Sequence, residues 1–91
     1  MSGRRTAYEI YWEILNYCRS PRPFTAIIGR CDLNSKTGQE YLDFLIMRGL
    51  LAVENNGTRP RYRSTERAGE YIRLFTKLYQ DLFGSVPEFR L

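Results

Sequence analysis

Between Leu51 and Ser64 the spacing of apolar residues switches from a helical period to alternation, and Asn55-Asn56-Gly57 lies inside the switch. Asn-Gly suits the two-residue turns whose backbone matches the right-handed twist of paired strands. The segment is expected to be a hairpin, with Leu51 to Glu54 as one strand and Arg61 to Ser64 as its return. Alternation puts Tyr62 on one face and Arg61 and Arg63 on the other. Pro60 keeps the tip from pairing like an inner strand. A lone hairpin is marginal in water, so the surrounding segments must cover it.

Those segments read as helices. Thr6 followed by Glu9 is a capping-box pattern, and Ala7, Ile10, Tyr11, Ile14, Leu15 and Cys18 form one stripe, which predicts a helix from Arg5 to Arg19. Ser20-Pro21-Arg22-Pro23 stops it. Tyr8 and Trp12 lie four apart on the opposite face, which suggests a second contact surface. A short helix follows from Phe24 to Arg30, with Phe24, Ile27, Ile28 and Cys31 on its buried side and Cys31-Asp32-Leu33-Asn34 as a tight turn. Asn34 then caps a helix from Ser35 to Arg48. Gly38, Tyr41, Leu42, Leu45 and Ile46 face inward, and Gly49 ends it. Gly38 on the inward face is expected to admit another helix at close range. A last helix, capped by the Thr65 hydroxyl with Glu66 in its first turn, runs to Phe83 and stops at Gly84. Ala68, Ile72, Phe75, Tyr79 and Leu82 repeat along it, and Tyr71, Leu74 and Leu78 widen the stripe beyond the ~100° that a surface helix needs.

The order helix, helix, helix, hairpin, helix defines the expected fold class: α+β, mostly α, a winged helix-turn-helix with an added C-terminal helix. The expected division of the single domain 1–91 is a basic arm over 1–5, the helix-turn-helix over 24–48, the wing hairpin over 51–64, a dimerisation helix over 65–83 and a tail over 84–91. A chain of 91 residues buries only about 60–65% of the surface its unfolded state exposes, so a partner subunit fits.

The formal charge is +4, and the 14 basic residues are nearly all arginine. Arginine's planar fork suits phosphate and guanine, so the charge points to a polyanion. Three features place it. Ser35, Lys36, Thr37 and Gln39 are short or flexible hydrogen-bonding residues at the outward start of the third helix, where a reading helix meets base edges and phosphates. Arg59, Arg61 and Arg63 cluster on the hairpin, in a stretch from Asn55 to Ser64 without an acid; the plain alternative is an edge strand protected by charge. Arg4 and Arg5 form a second cluster, read as part of the arm. For dimerisation, the candidates are Tyr8, Trp12, Tyr71, Phe75, Leu78, Tyr79 and Leu82, with helix four packing only within its own chain as the alternative.

Leu33-Asn34, Tyr41-Leu42-Asp43 with Leu45, Gly49-Leu50-Leu51, and Tyr62 followed by Thr65-Glu66 and Gly69 make the chain, from Tyr8 to Leu82, similar to the archaeal winged-helix DNA-binding regulators and small chromatin proteins. That resemblance implies DNA binding by the third helix and the wing, and dimerisation through the last helix. The chain departs from the pattern at Gly38, where a large apolar residue is usual, and in its short final helix.

Enzyme chemistry is not expected, and neither is a cofactor or a metal. There is no histidine, so the commonest general base and metal ligand is missing. Cys18 and Cys31 are read as buried free thiols that act as small hydrophobes, with a bridge as the alternative. No apolar run reaches the ~18–20 residues of a membrane span, and the charged start lacks the apolar run of a secretory signal; an intracellular protein is expected. The working function is binding of double-stranded DNA. Its rivals are a winged helix that contacts other proteins, favoured by Glu40 and Asp43 on the outward face of helix three, and a redox-sensing repressor, which needs an exposed cysteine.

Overall fold

The starts of the first and third helices are local hydrogen-bonding solutions that the sequence spells out. The computed structural model describes residues 5–55, 57 and 59–84. Arg4 with the arm over 1–4, Asn56 of the turn, and the tail over 85–91 lie outside the described residues. The elements are α1 (Ala7–Tyr17), β1 (Arg22–Pro23), α2 (Phe24–Cys31), α3 (Ser35–Met47), β2 (Leu51–Asn55), β3 (Pro60–Ser64) and α4 (Glu66–Phe83).

Thr6 caps α1: its Oγ1 accepts from the Glu9 N–H at 3.1 Å, and its own N–H donates to Glu9 Oε1 at 2.7 Å. Asn34 Oδ1 accepts from the Thr37 N–H at 2.8 Å and caps α3. Between α2 and α3, Asp32 takes the left-handed conformation with φ 56°, which Asp tolerates better than most residues because a short polar side chain can bond to nearby backbone. The chain thereby reverses within a few residues, and the Leu33 N–H closes onto the Ile28 carbonyl at 2.9 Å. At the far end of α3, Gly49 (φ 76°) donates to Ile46 and Leu50 donates to Leu45, the paired closure that satisfies the last carbonyls of a helix.

The strands form one antiparallel sheet in the order β1-β3-β2. Val53 and Arg22 flank Tyr62 from either side, and Asn55 faces Pro60. Two expectations change here. Ser20 to Pro23 does more than stop α1: Arg22 and Pro23 add a third strand. As a result β3 is the central strand, not an edge, and Pro60 is tolerated because it sits at the strand's first position, beyond the pairs that β1 makes. Alternation holds, with Tyr62 buried and Arg61 and Arg63 exposed.

The core joins Ile10, Ile14, Leu15 and Cys18 of the first helical segment to Ile27, Cys31, Leu42, Leu45, Leu51, Tyr62, Ala68 and Ile72. Ala7, expected inward, is exposed in the first turn of α1. Gly38 is buried, and a Cβ built on it lies 2.5 Å from Ile28 Cγ2. The absence of a side chain there is what lets α2 and α3 cross closely. The sheet is tied to α1 by Ser64, whose N–H donates to the Cys18 carbonyl at 2.8 Å and whose hydroxyl donates to the Leu15 carbonyl at 2.6 Å. Thr65 occupies the cap position of α4 but makes no side-chain cap bond. Its hydroxyl donates instead to the Gly49 carbonyl at 2.8 Å, anchoring α4 to the junction between α3 and β2.

Candidate nucleic-acid interface

The first turn of α3 carries no acid. Its cap fixes the direction in which the helix leaves the turn, and Ser35, Lys36 and Gln39 are exposed while Thr37 is half-buried. Gln39 Nε2 donates to Asp43 Oδ1 at 2.8 Å along the exposed helix surface. Such an exposed bond contributes little net stability, so the amide is available to a competing partner. Lys36 has no ion-pair partner among the described residues. Glu40 and Asp43 lie farther along the same helix and are exposed too.

The hairpin follows α3 after Arg48, Gly49 and Leu50. Arg59, Arg61 and Arg63 are all exposed, but they are not equivalent. Arg63 Nε bonds Glu54 Oε2 across the two strands, so its charge is met locally by an acid that stands just before the acid-free stretch. Arg59 and Arg61 have no such partner among the described residues. Sequence reasoning overlooked two further cations. The Arg22 guanidinium sits 4.2 Å from the centre of the Tyr17 ring, and that of Arg30 5.9 Å from it. The added strand sets Pro23 opposite Arg61, so Arg22 belongs to the same end of the sheet. Its only sequence signal is the Arg between two prolines, which reads as a helix stop.

Arg5 is corrected. It is not part of a free basic arm. Its guanidinium bonds the Glu13 carboxylate and the Cys31 carbonyl, and the two side chains are only 9% and 10% exposed. Cys31 ends α2, so a cation there satisfies a terminal carbonyl and complements the helix dipole. Trp12 is also corrected in its surroundings. Its indole N–H donates to Thr76 Oγ1 at 2.9 Å, and its ring packs 6.3 Å from that of Phe75, so it joins α1 to α4 within one chain. Tyr71 packs at the edge of the core, and Phe75 and Tyr79 are half-buried. Beyond them α4 still presents Leu74 (57% exposed), Leu78 (54%), Leu82 (65%) and Phe83 (65%), near Tyr8 (65%).

Cys18 and Cys31 are free and fully buried. Burial pushes each thiol up to about 12, so the thiolate needed for oxidation or metal binding is suppressed. The redox-sensing reading required exposure and is overturned. Among the described residues no group of three His, Cys, Asp or Glu is placed to hold a metal, and no helix is long and apolar enough to cross a membrane.

A model of the winged helix-turn-helix family matches residues 4–82. No curated protein matches the chain in sequence. Among solved structures, the chain is similar to Sso10a-2, a DNA-binding protein from Sulfolobus solfataricus, with a TM-score of 0.73 and 29% identity over 88% of this chain and 87% of that one. It is also similar to the homodimeric winged helix-turn-helix DNA-binding domain Mb0332 from Mycobacterium bovis, with a TM-score of 0.70 and 23% identity over 87% and 76% of the two chains. A third likeness, to human N-acetylserotonin methyltransferase, has a TM-score of 0.62 and 21% identity but spans only 25% of the enzyme. At such identities the last two show the fold alone. The family match and the helix-turn-helix-hairpin geometry agree: the chain belongs to the winged helix-turn-helix family.

Proposed function

We propose that this protein binds double-stranded DNA as a transcription regulator or architectural protein. In this reading α3 enters the major groove, with Ser35, Lys36, Thr37 and Gln39 reaching base edges and phosphates, and Arg59 and Arg61 hold the backbone from the wing, with Arg63 beside them. The observation that carries it is the acid-free, solvent-facing first turn of α3 in a chain whose next element is a hairpin with two arginines that have no ion-pair partner among the described residues. The similarity to the Sulfolobus DNA-binding protein supports it. Action on DNA implies a place inside the cell.

The same reading makes the protein a homodimer through the outer face of α4, with Phe75, Leu78, Tyr79 and Leu82 at the seam, Tyr8 beside it, and Tyr71 and Trp12 supporting from behind. Exposed leucines along one helix face are an apolar patch of the kind that marks an interface. Two-fold pairing would set two reading helices about one DNA turn, roughly 34 Å, apart.

Titration with a random-sequence duplex at increasing salt tests the reading. Affinity is expected to fall by orders of magnitude between about 50 and 200 mM salt as counterions are released. Absence of duplex binding at the low end overturns it. Glu40 and Asp43 favour a second reading, a protein-contact module, and that same negative result is what it requires.

A further inference from the structure

The C-terminal half of α3 borders a cleft of about 580 Å³ that none of the proposed DNA-contacting residues lines. Tyr8 and Tyr11 line it from α1, Phe44 from α3, Arg48 from the C-cap of α3, and Arg67 and Tyr71 from α4. The volume falls in the range of small-molecule sites. We propose that this cleft binds an aromatic monocarboxylate, with the ring among the tyrosines and Phe44 and the carboxylate between Arg48 and Arg67.

The ring half of the argument is geometric. Tyr11 stacks on Phe44 with centroids 5.2 Å apart and planes 20° apart, and Tyr8 stands edge-on to Tyr11 at 6.2 Å. These are the offset and edge contacts that aromatic rings favour, and the exposed Tyr8 continues the series toward solvent. The charge half rests on what the cleft lacks. Its lining contains two arginines and no acid. Neither arginine has an ion-pair partner among the described residues. The Arg48 guanidinium lies 5.6 Å from the Phe44 ring centre, and Arg67 Nη1 reaches toward Gly49, 3.7 Å from where a Cβ there would stand. Two guanidiniums lining one cleft beside aromatic rings present forked donors suited to one planar anion. Burial, reinforced by neighbouring phenols, raises Tyr11 and Tyr71 above the ordinary phenol value, so both remain neutral donors and add no negative charge.

Calorimetric titration of the native chain with 2-naphthoate, and in parallel with its neutral isostere 2-naphthamide, tests the assignment. The carboxylate is expected to bind at least tenfold more tightly than the amide. Arg48→Gln with Arg67→Gln should remove that preference, while Arg59→Gln with Arg61→Gln leaves it intact. Equal binding of carboxylate and amide, or no binding of either, overturns the proposal. So does the finding that the cleft is closed by a second copy, seen as failure of 2-naphthoate to bind until Leu82→Ser lowers the sedimenting mass. The isostere comparison uses unaltered protein, so it holds even if the double variant misfolds. None of these readouts involves DNA, so the DNA reading and this one fail independently.

Discussion

Arg5 turns its charge inward, which sets it apart from the arginines of the wing. Its guanidinium bridges Glu13 and the last carbonyl of α2 in a nearly dry setting. Truncating one member of a buried pair strands the other. Arg5→Ala is therefore expected to lower unfolding free energy by roughly 3 kcal/mol, read by denaturant melting, with a smaller loss for Glu13→Gln; a change within error would show the pair to be solvated. The wing arginines should behave oppositely. Arg59→Gln with Arg61→Gln leaves stability nearly unchanged, weakens binding to all duplexes alike, and flattens the log–log salt dependence by about two units, one for each phosphate no longer neutralised. An unaltered slope removes the wing from the interface. Gln39 must first leave Asp43, and if it then reads a base, Gln39→Ala shifts preference at one position by about 1–3 kcal/mol, measured by selection from a random pool; a uniform loss across sequences assigns it to the backbone instead.

Among the elements, helix-turn-helix spacing depends on Gly38. Adding even a methyl group drives it into the γ-methyl of Ile28. Gly38→Ala is expected to cost about 1–3 kcal/mol through overpacking, partly recovered in a double variant with Ile28→Ala; additive losses would show that the two do not meet. The helices were legible because their apolar stripes and caps are encoded within a few residues, as Thr6 with Glu9 and Asn34 with Thr37 show. What escaped depends on partners distant in sequence. Arg22 and Pro23 become a strand only because Tyr62 and Arg61 lie opposite. Thr65 satisfies Gly49 and not its own helix. Arg5 looks like an arm residue until Glu13 and Cys31 surround it. Likewise the proposed reading surface was visible in the polar start of α3, whereas the cleft beside Arg48 and Arg67 exists only once three helices converge.

For the whole molecule, the two buried thiols set an alkaline limit. Each titrates near 9 when exposed and near 12 when folded. Below about pH 9 both states keep the protons, so the stability contribution is complete. Between about 9 and 12 the unfolded chain releases protons that the folded chain retains, and stability falls with rising pH. Replacing both with alanine should flatten that part of the denaturation profile. A thiol reagent should likewise label the native protein only at the rate of its opening; prompt labelling would contradict the burial.

Trp12 is the sole tryptophan in the chain, and it is wedged where the first and last helices meet, against Phe75 and bonded to Thr76. Its emission is thus a built-in gauge of how the last helix sits. Subunit pairing along that helix, or an occupant beside Tyr71 one turn away, can be followed by intrinsic fluorescence on unlabelled material, whereas events confined to the hairpin tip should leave the signal unchanged.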